Sequence, residues 1–326
     1  MKLFSWVPVI ITLLLLLPGC NATTRKGEES APIHRLSTYA FSLTVPLSSR
    51  ITEAPTPVIE HLRKLDDRPD YTSWIPTGKD RQRINRALAE LPSGIRHTLS
   101  RRAIGIYFVE DFLTYGLTEW VVDEEGNTYV FMVFARRALS GTAGDIITDR
   151  ENTTFVDDGS GCTLKHVLTP EIDGFYYILL HESVHAFDYV NKITPWVEPA
   201  LKEPGRDPET NRFTRGIWSK YRTTVKTYAF RKGLRFYGFG KGPFSQYGKA
   251  MDIYSGLEDS PFASLYGSVS WAEDLAELET LYHITRRLKR DYVITVSCGE
   301  NTKSFYPMKN KSARDRFQQM DVFYKR

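Results

Sequence analysis

YYILLHESVHAFDYV, Tyr176 to Val190, is the stretch whose reading decides the fold. It is apolar, free of proline, and carries two histidines four residues apart with a glutamate directly after the first. At roughly 100° per residue, His181, His185 and Asp188 fall on one face of a helix. Tyr176, Leu179, Leu180, Ser183, Phe187 and Val190 fall largely opposite. The pattern predicts a helix with one buried face and one face that presents imidazoles. Two histidines at this spacing can hold one metal ion from the same helix, and Glu182 stands beside the place where an activated water would sit. The alternative is an ordinary helix whose histidines are satisfied by packing.

Two histidines leave a site incomplete, because catalytic zinc takes three protein ligands and keeps a fourth position open. The chain therefore has to supply another donor, and SWAEDLAELETLY, Ser270 to Tyr282, is the candidate segment. Trp271, Leu275, Leu278 and Tyr282 form one helical stripe, while Glu273 and Glu277 share the opposite face. That arrangement suits Glu273 as a ligand and Glu277 as the acceptor for the second N–H of a metal-bound histidine. Asp188, one turn after His185, is a further supporting candidate. Ser270 and Glu273 also fit a capping box, in which Glu273 folds back onto the backbone of Ser270. In that case Glu277 or Glu279 takes the ligand role. A continuation of the first motif with Gly and then His is excluded, since Asp188 and Asn191 occupy those places. GTAGD, Gly141 to Asp145, lies upstream and reads as a loop.

His181-Glu182-x-x-His185 is the H-E-x-x-H pattern of zincins, and together with YGSVSWAEDLAE, Tyr266 to Glu277, it resembles the anthrax-lethal-factor-like zinc metallopeptidases of the gluzincin type. The resemblance implies an α+β, zincin-like domain, with a small mixed sheet packed on the active-site helix and on a second, Glu-bearing helix. It implies one Zn²⁺ per chain held by His181, His185 and Glu273, with Glu182 as general base, Tyr266 as oxyanion stabiliser and Glu277 in support. The implied activity is hydrolysis of peptide bonds in a peptide or protein substrate. A zinc amidase acting on peptidoglycan, and a non-enzymatic zinc lipoprotein serving as a binding or assembly factor, are the alternatives. The long separation between His185 and Glu273 departs from compact gluzincins.

The N-terminus sets the compartment. An apolar run, Leu3 to Leu17, shorter than the roughly 20 residues of a spanning helix, leads into LPGC, Leu17 to Cys20. This reads as a signal peptide over residues 1–19, and its end resembles the lipobox of bacterial lipoproteins. The resemblance implies cleavage before Cys20, lipid on that residue, and anchorage at the cell envelope, on the outer membrane if the envelope is Gram-negative. Residues 20–56, polar and rich in Ser, Thr and Pro, read as a tether and N-terminal extension, and residues 57–326 as the catalytic domain. With Cys20 lipidated, only Cys162 and Cys298 of the 3 cysteines remain to pair. A bridge between them would enclose every catalytic candidate and contribute on the order of 4–5 kcal/mol by loop entropy.

A 326-residue chain with 41% hydrophobic and 25% charged residues describes a globular protein with a sizeable core. Its net charge of +4 is too small to argue for nucleic-acid binding. The cations collect in KYRTTVKTYAFRKGLRF, Lys220 to Phe236, and in RRLKRD, Arg286 to Asp291, which read as solvated faces. The aromatic and glycine-containing segment 191–266 is expected to form a lid or cleft wall, or a subdomain core.

Overall fold

In the computed structural model, residues 31–203, 205–239 and 245–325 are described. The signal peptide, Cys20 and the start of the tether lie outside them, as does Phe244. In chain order the elements are α1 (Thr56–Asp66), β1 (Thr72–Trp74), α2 (Gly78–Glu90), α3 (Ser93–Arg102), β2 (Ala103–Glu110), β3 (Gly116–Val122), β4 (Thr128–Ala135) and α4 (Ala143–Asn152). They continue through β5 (Phe155–Val156), β6 (Cys162–Thr169), α5 (Gly174–Asn191), β7 (Trp218–Lys220), β8 (Thr223–Thr224) and β9 (Ser245–Gln246). The last are α6 (Ala250–Glu258), α7 (Trp271–Tyr282), β10 (Asp291–Cys298), β11 (Asn301–Phe305) and α8 (Lys311–Arg314). The fold is α+β, with several small sheets.

The main sheet runs β1-β2-β4-β3, with β2 and β4 parallel and the outer pairs antiparallel. The unbroken apolar runs of β2 and β4 reflect burial on both faces. Val130, Met132 and Phe134 of β4 point into the core shared with α2, α3 and α5, while Phe131, Val133 and Ala135 point into a second core against α1. The period of 2 along a strand makes that division. Covering the second face takes more chain than residues 57–326: Ile33, Tyr39 and Ala54 are buried there, and Ile51 bridges to Ile106. The domain therefore begins near Pro32, and the expected tether over 20–56 is shortened accordingly. Its Ser, Thr and Pro content disguised Ile33, Tyr39 and Ala54, which seal this face, and Ile51, which packs into the core on the other side.

A second sheet, β11-β10-β6, is antiparallel throughout. Cys162 and Cys298 are register partners at its end and are joined as a disulfide across a sequence separation of 136. Gly141 to Asp145 is not a loop. Thr142 caps α4 by accepting from the Asp145 N–H, and the Asp145 carboxylate accepts from the Thr142 N–H in return. The helix capped by Ser270 is α-helical through Tyr282, and a π turn, His283–Arg287, follows.

The two site helices are buried on all sides. Every residue of α5 from Gly174 to Tyr189 is buried, so the expected division into a buried and an open face does not hold. The sheet covers one side of α5, while α3, α4 and α7 cover the rest. On α7, Asp274 accepts from Trp218 Nε1 at 2.8 Å and from both terminal nitrogens of Arg316 at 2.9 and 2.7 Å. These groups tie the central segment and the C-terminal segment to α7. Truncating Asp274 to Ala leaves Arg316 buried without its partner, at a cost of about 3–5 kcal/mol. Asp321→Ala, which breaks the exposed pair with Arg287, costs less than about 1 kcal/mol. Paired thermal and urea unfolding of the two variants checks this ordering.

Candidate metal centre

Asp173 starts α5 by accepting from the Tyr176 N–H, and Arg83 pairs with the same carboxylate at 2.6 Å. About two and three turns further in, the i and i+4 spacing brings His181 Nε2 and His185 Nε2 to 3.2 Å of each other. Glu273 Oε2 reaches from α7 to 3.2 Å from the first and 3.4 Å from the second. The three atoms could hold a metal ion. A tetrahedral ion with bonds of about 2.0–2.1 Å needs ligand atoms about 3.3 Å apart, which is the size of this triangle. Glu273 does not fold back onto its own helix start. Ser270 Oγ accepts from the Glu273 N–H at 3.2 Å, and the carboxylate remains free for the histidines.

Glu277 supports His181, as its place one turn on predicts. Its Oε1 lies 2.8 Å from His181 Nδ1. With a cation in place, this contact would hold the ring proton on Nδ1 and turn the Nε2 lone pair to the ion. The Glu277 carboxylate is fully buried. It accepts from Arg150 Nη1 and Nη2 at 3.1 and 2.6 Å, from the Tyr177 hydroxyl at 2.7 Å and from Ser264 Oγ at 2.6 Å. Burial alone raises its pKa, but the Arg150 guanidinium and His181 outweigh burial and hold it well below the usual carboxylate range. On His181 burial disfavours the charged form, and the carboxylates of Glu273 and Glu277 override it, taking the pKa up to about 10. The donor set thus asks for positive charge at this point, as a cation site should.

Glu182 is buried beside the triangle, and burial raises its pKa, with the neighbouring histidines and Thr118 opposing. Thr118 Oγ1 of β3 lies 2.7 Å from Glu182 Oε2 and 2.9 Å from its carbonyl oxygen. The strand comes this close because residue 116 is glycine: a Cβ there would stand 2.7 Å from Glu182 Cγ. Tyr266 sits in the short turn before α7, its ring centroid 6.0 Å from that of His181 and 4.2 Å below the Arg150 guanidinium. Burial and the charge of Glu273 keep its phenol protonated. Asp188 is turned to another task. It accepts from the Thr194 N–H at 2.8 Å and from Thr194 Oγ1 at 2.6 Å, fixing the chain as it leaves α5. The buried Glu279 accepts from the Tyr324 hydroxyl and is outside the cation triangle.

The sequence reading missed Arg150 and Glu151, the adjacent charged pair at the end of α4. Arg150 holds Glu277, while Glu151 Oε1 accepts from the Leu265 and Tyr266 N–H groups at 2.9 and 3.3 Å. One helix end therefore orients both the partner of His181 and the turn that carries Tyr266. The capping box at Thr142 was the available signal, since it marks the helix on which the pair rides.

No protein-family model matches the chain, and neither a curated protein nor a solved structure does.

The site predicts about one transition-metal ion per chain, measured by elemental mass spectrometry after reloading and dialysis. Glu273→Ala is expected to lose it while remaining folded. Glu277→Gln should weaken metal affinity about 10- to 100-fold.

Proposed function

We propose that the chain is a zinc-dependent peptidase of zincin-like architecture. The observation that carries this reading is the triangle of His181 Nε2, His185 Nε2 and Glu273 Oε2 with the buried carboxylate of Glu182 directly beside it in sequence. Two imidazoles and one carboxylate suit zinc, and three protein ligands are the number that catalytic zinc takes. When bound, zinc lowers the pKa of water to about 7 and polarises a carbonyl.

The chain's own groups account for the remaining chemistry. Glu182 takes the proton of the attacking water and delivers it to the leaving amine. Its raised pKa, caused mainly by burial, suits a group that must hold that proton between the two steps. The Tyr266 O–H, which has no hydrogen-bond partner among the described residues, donates to the carbonyl oxygen as negative charge develops there. Glu277 keeps His181 in the productive tautomer. β3 is the edge strand of the main sheet and lies against Glu182; His34 and Arg35 already cover this edge at Trp120 and Val122, so an extended peptide would pair only along its Gly116–Glu119 part.

Anchorage through lipid on Cys20, with the domain displayed at the cell envelope, remains part of the proposal and rests on the sequence alone. No helix among the described residues is long and apolar enough to cross a membrane.

Glu182→Gln is expected to retain zinc and to lose about 10²- to 10⁴-fold in kcat on a peptide substrate. Tyr266→Phe should keep KM and lose about 10²- to 10³-fold in kcat. Mass-spectrometric detection of new termini in a peptide mixture provides the assay. Undiminished cleavage by the zinc-loaded Glu182→Gln chain would sink the mechanism.

A further inference from the structure

The cation-rich run Lys220 to Phe236 is more than a solvated face. With the residues around it, the run encloses a cavity of about 970 Å³ whose wall also includes Glu273 and Tyr266. The cavity therefore adjoins the candidate centre through Glu273 and Tyr266. Its size lies at the upper end of small-molecule sites, room for a stretch of peptide that carries the side chain. Aromatic groups from the same segment, Tyr228, Phe236 and Tyr237 among them, form much of the lining.

The charges of this wall are unbalanced. Arg231 is structural: its guanidinium donates to the Ser268 carbonyl, Thr224 Oγ1 and the Arg222 carbonyl and lies 5.0 Å from the Trp218 ring. Arg222 lies within reach of the Glu198 charge. Lys232 and Arg235 differ from both. They are exposed, they line the cavity, and among the described residues neither is paired with a carboxylate. Arg235 uses only one N–H, toward the neighbouring Leu234 carbonyl. Glu273 is the one carboxylate in the described wall, and its charge is committed to the histidines. An aromatic-walled cleft with two unpaired cations at its open, solvated side attracts anions and repels cations.

We propose that this cavity receives an acidic side chain of the peptide substrate, with Lys232 and Arg235 holding its carboxylate. The proposal rests on reading the centre as a peptidase site, and it narrows the substrate to peptides with Asp or Glu close to the bond that is cut. A peptide with Lys or Arg at that place meets repulsion instead. Lys232 and Arg235 act on binding, so their effect falls on KM and on binding affinity rather than on the chemical step.

Two measurements on the zinc-loaded full chain test it. In the first, cleavage sites are mapped in a complex peptide mixture. Asp and Glu are expected within two residues of the cut, and the doubly charge-reversed K232E/R235E chain should shift that enrichment toward Lys and Arg. In the second, the Glu182→Gln chain is titrated, by fluorescence anisotropy, with a labelled peptide bearing a central Glu-Glu pair and with its Gln-Gln counterpart. The acidic peptide is expected to bind on the order of tenfold more tightly, and the advantage should vanish in the charge-reversed chain at unchanged zinc content and melting temperature. Equal binding of the two peptides overturns the assignment of the cavity even if cleavage occurs. Preferential binding of the acidic peptide without any cleavage by the parent chain upholds the cavity and overturns the peptidase reading.

Discussion

A carboxylate shut away from water organises this structure. Glu277 has no solvent to stabilise its charge, so it must be surrounded by donors, and those donors come from three parts of the chain. Arg150 arrives from α4, Tyr177 and His181 from α5, and Ser264 from the turn before α7. Removing one partner of a buried ion pair costs several kcal/mol, because the remaining charge is stranded. The group that fixes a histidine tautomer thus also locks three segments together. Stability and function share one residue, which ties the precision of the site to the cooperativity of the fold.

The neighbouring helix end extends the same logic. Arg150 faces Glu277 and the Tyr266 ring, while Glu151 grips the backbone of the turn that carries Tyr266. Charges at adjacent positions on α4 serve two different parts of the centre. On the opposite flank, Gly116 admits β3 close enough for Thr118 to contact Glu182. The ligands themselves are thus the visible part of an arrangement that reaches into the sheet and into α4.

Much of the centre was legible because its spacing is local. His181 and His185 are one turn apart, as are Glu273 and Glu277, so the 3.6-residue period alone places each pair on a common face. The disulfide was legible from the scarcity of cysteine. What escaped was non-local. Arg150 and Glu277 are 127 positions apart, and no period connects them. The complete burial of α5 was hidden because its polar residues implied an open face. The sites that needed covering lay on other elements. Ile33, Tyr39, Ile51 and Ala54 were lost in a segment of tether-like composition, where single apolar residues carry no periodic signal.

The unequal exposure of the ligands has a kinetic meaning. The His181 side chain is 4% exposed and that of His185 is 11%, whereas Glu273 is 21% exposed and belongs to the cavity wall. An ion would arrive and depart past the carboxylate, through the same opening that a substrate would use. Occupancy of the cavity would then govern how fast an ion exchanges with its surroundings, so that a chain with its cavity filled would be better guarded against chelation than an empty one.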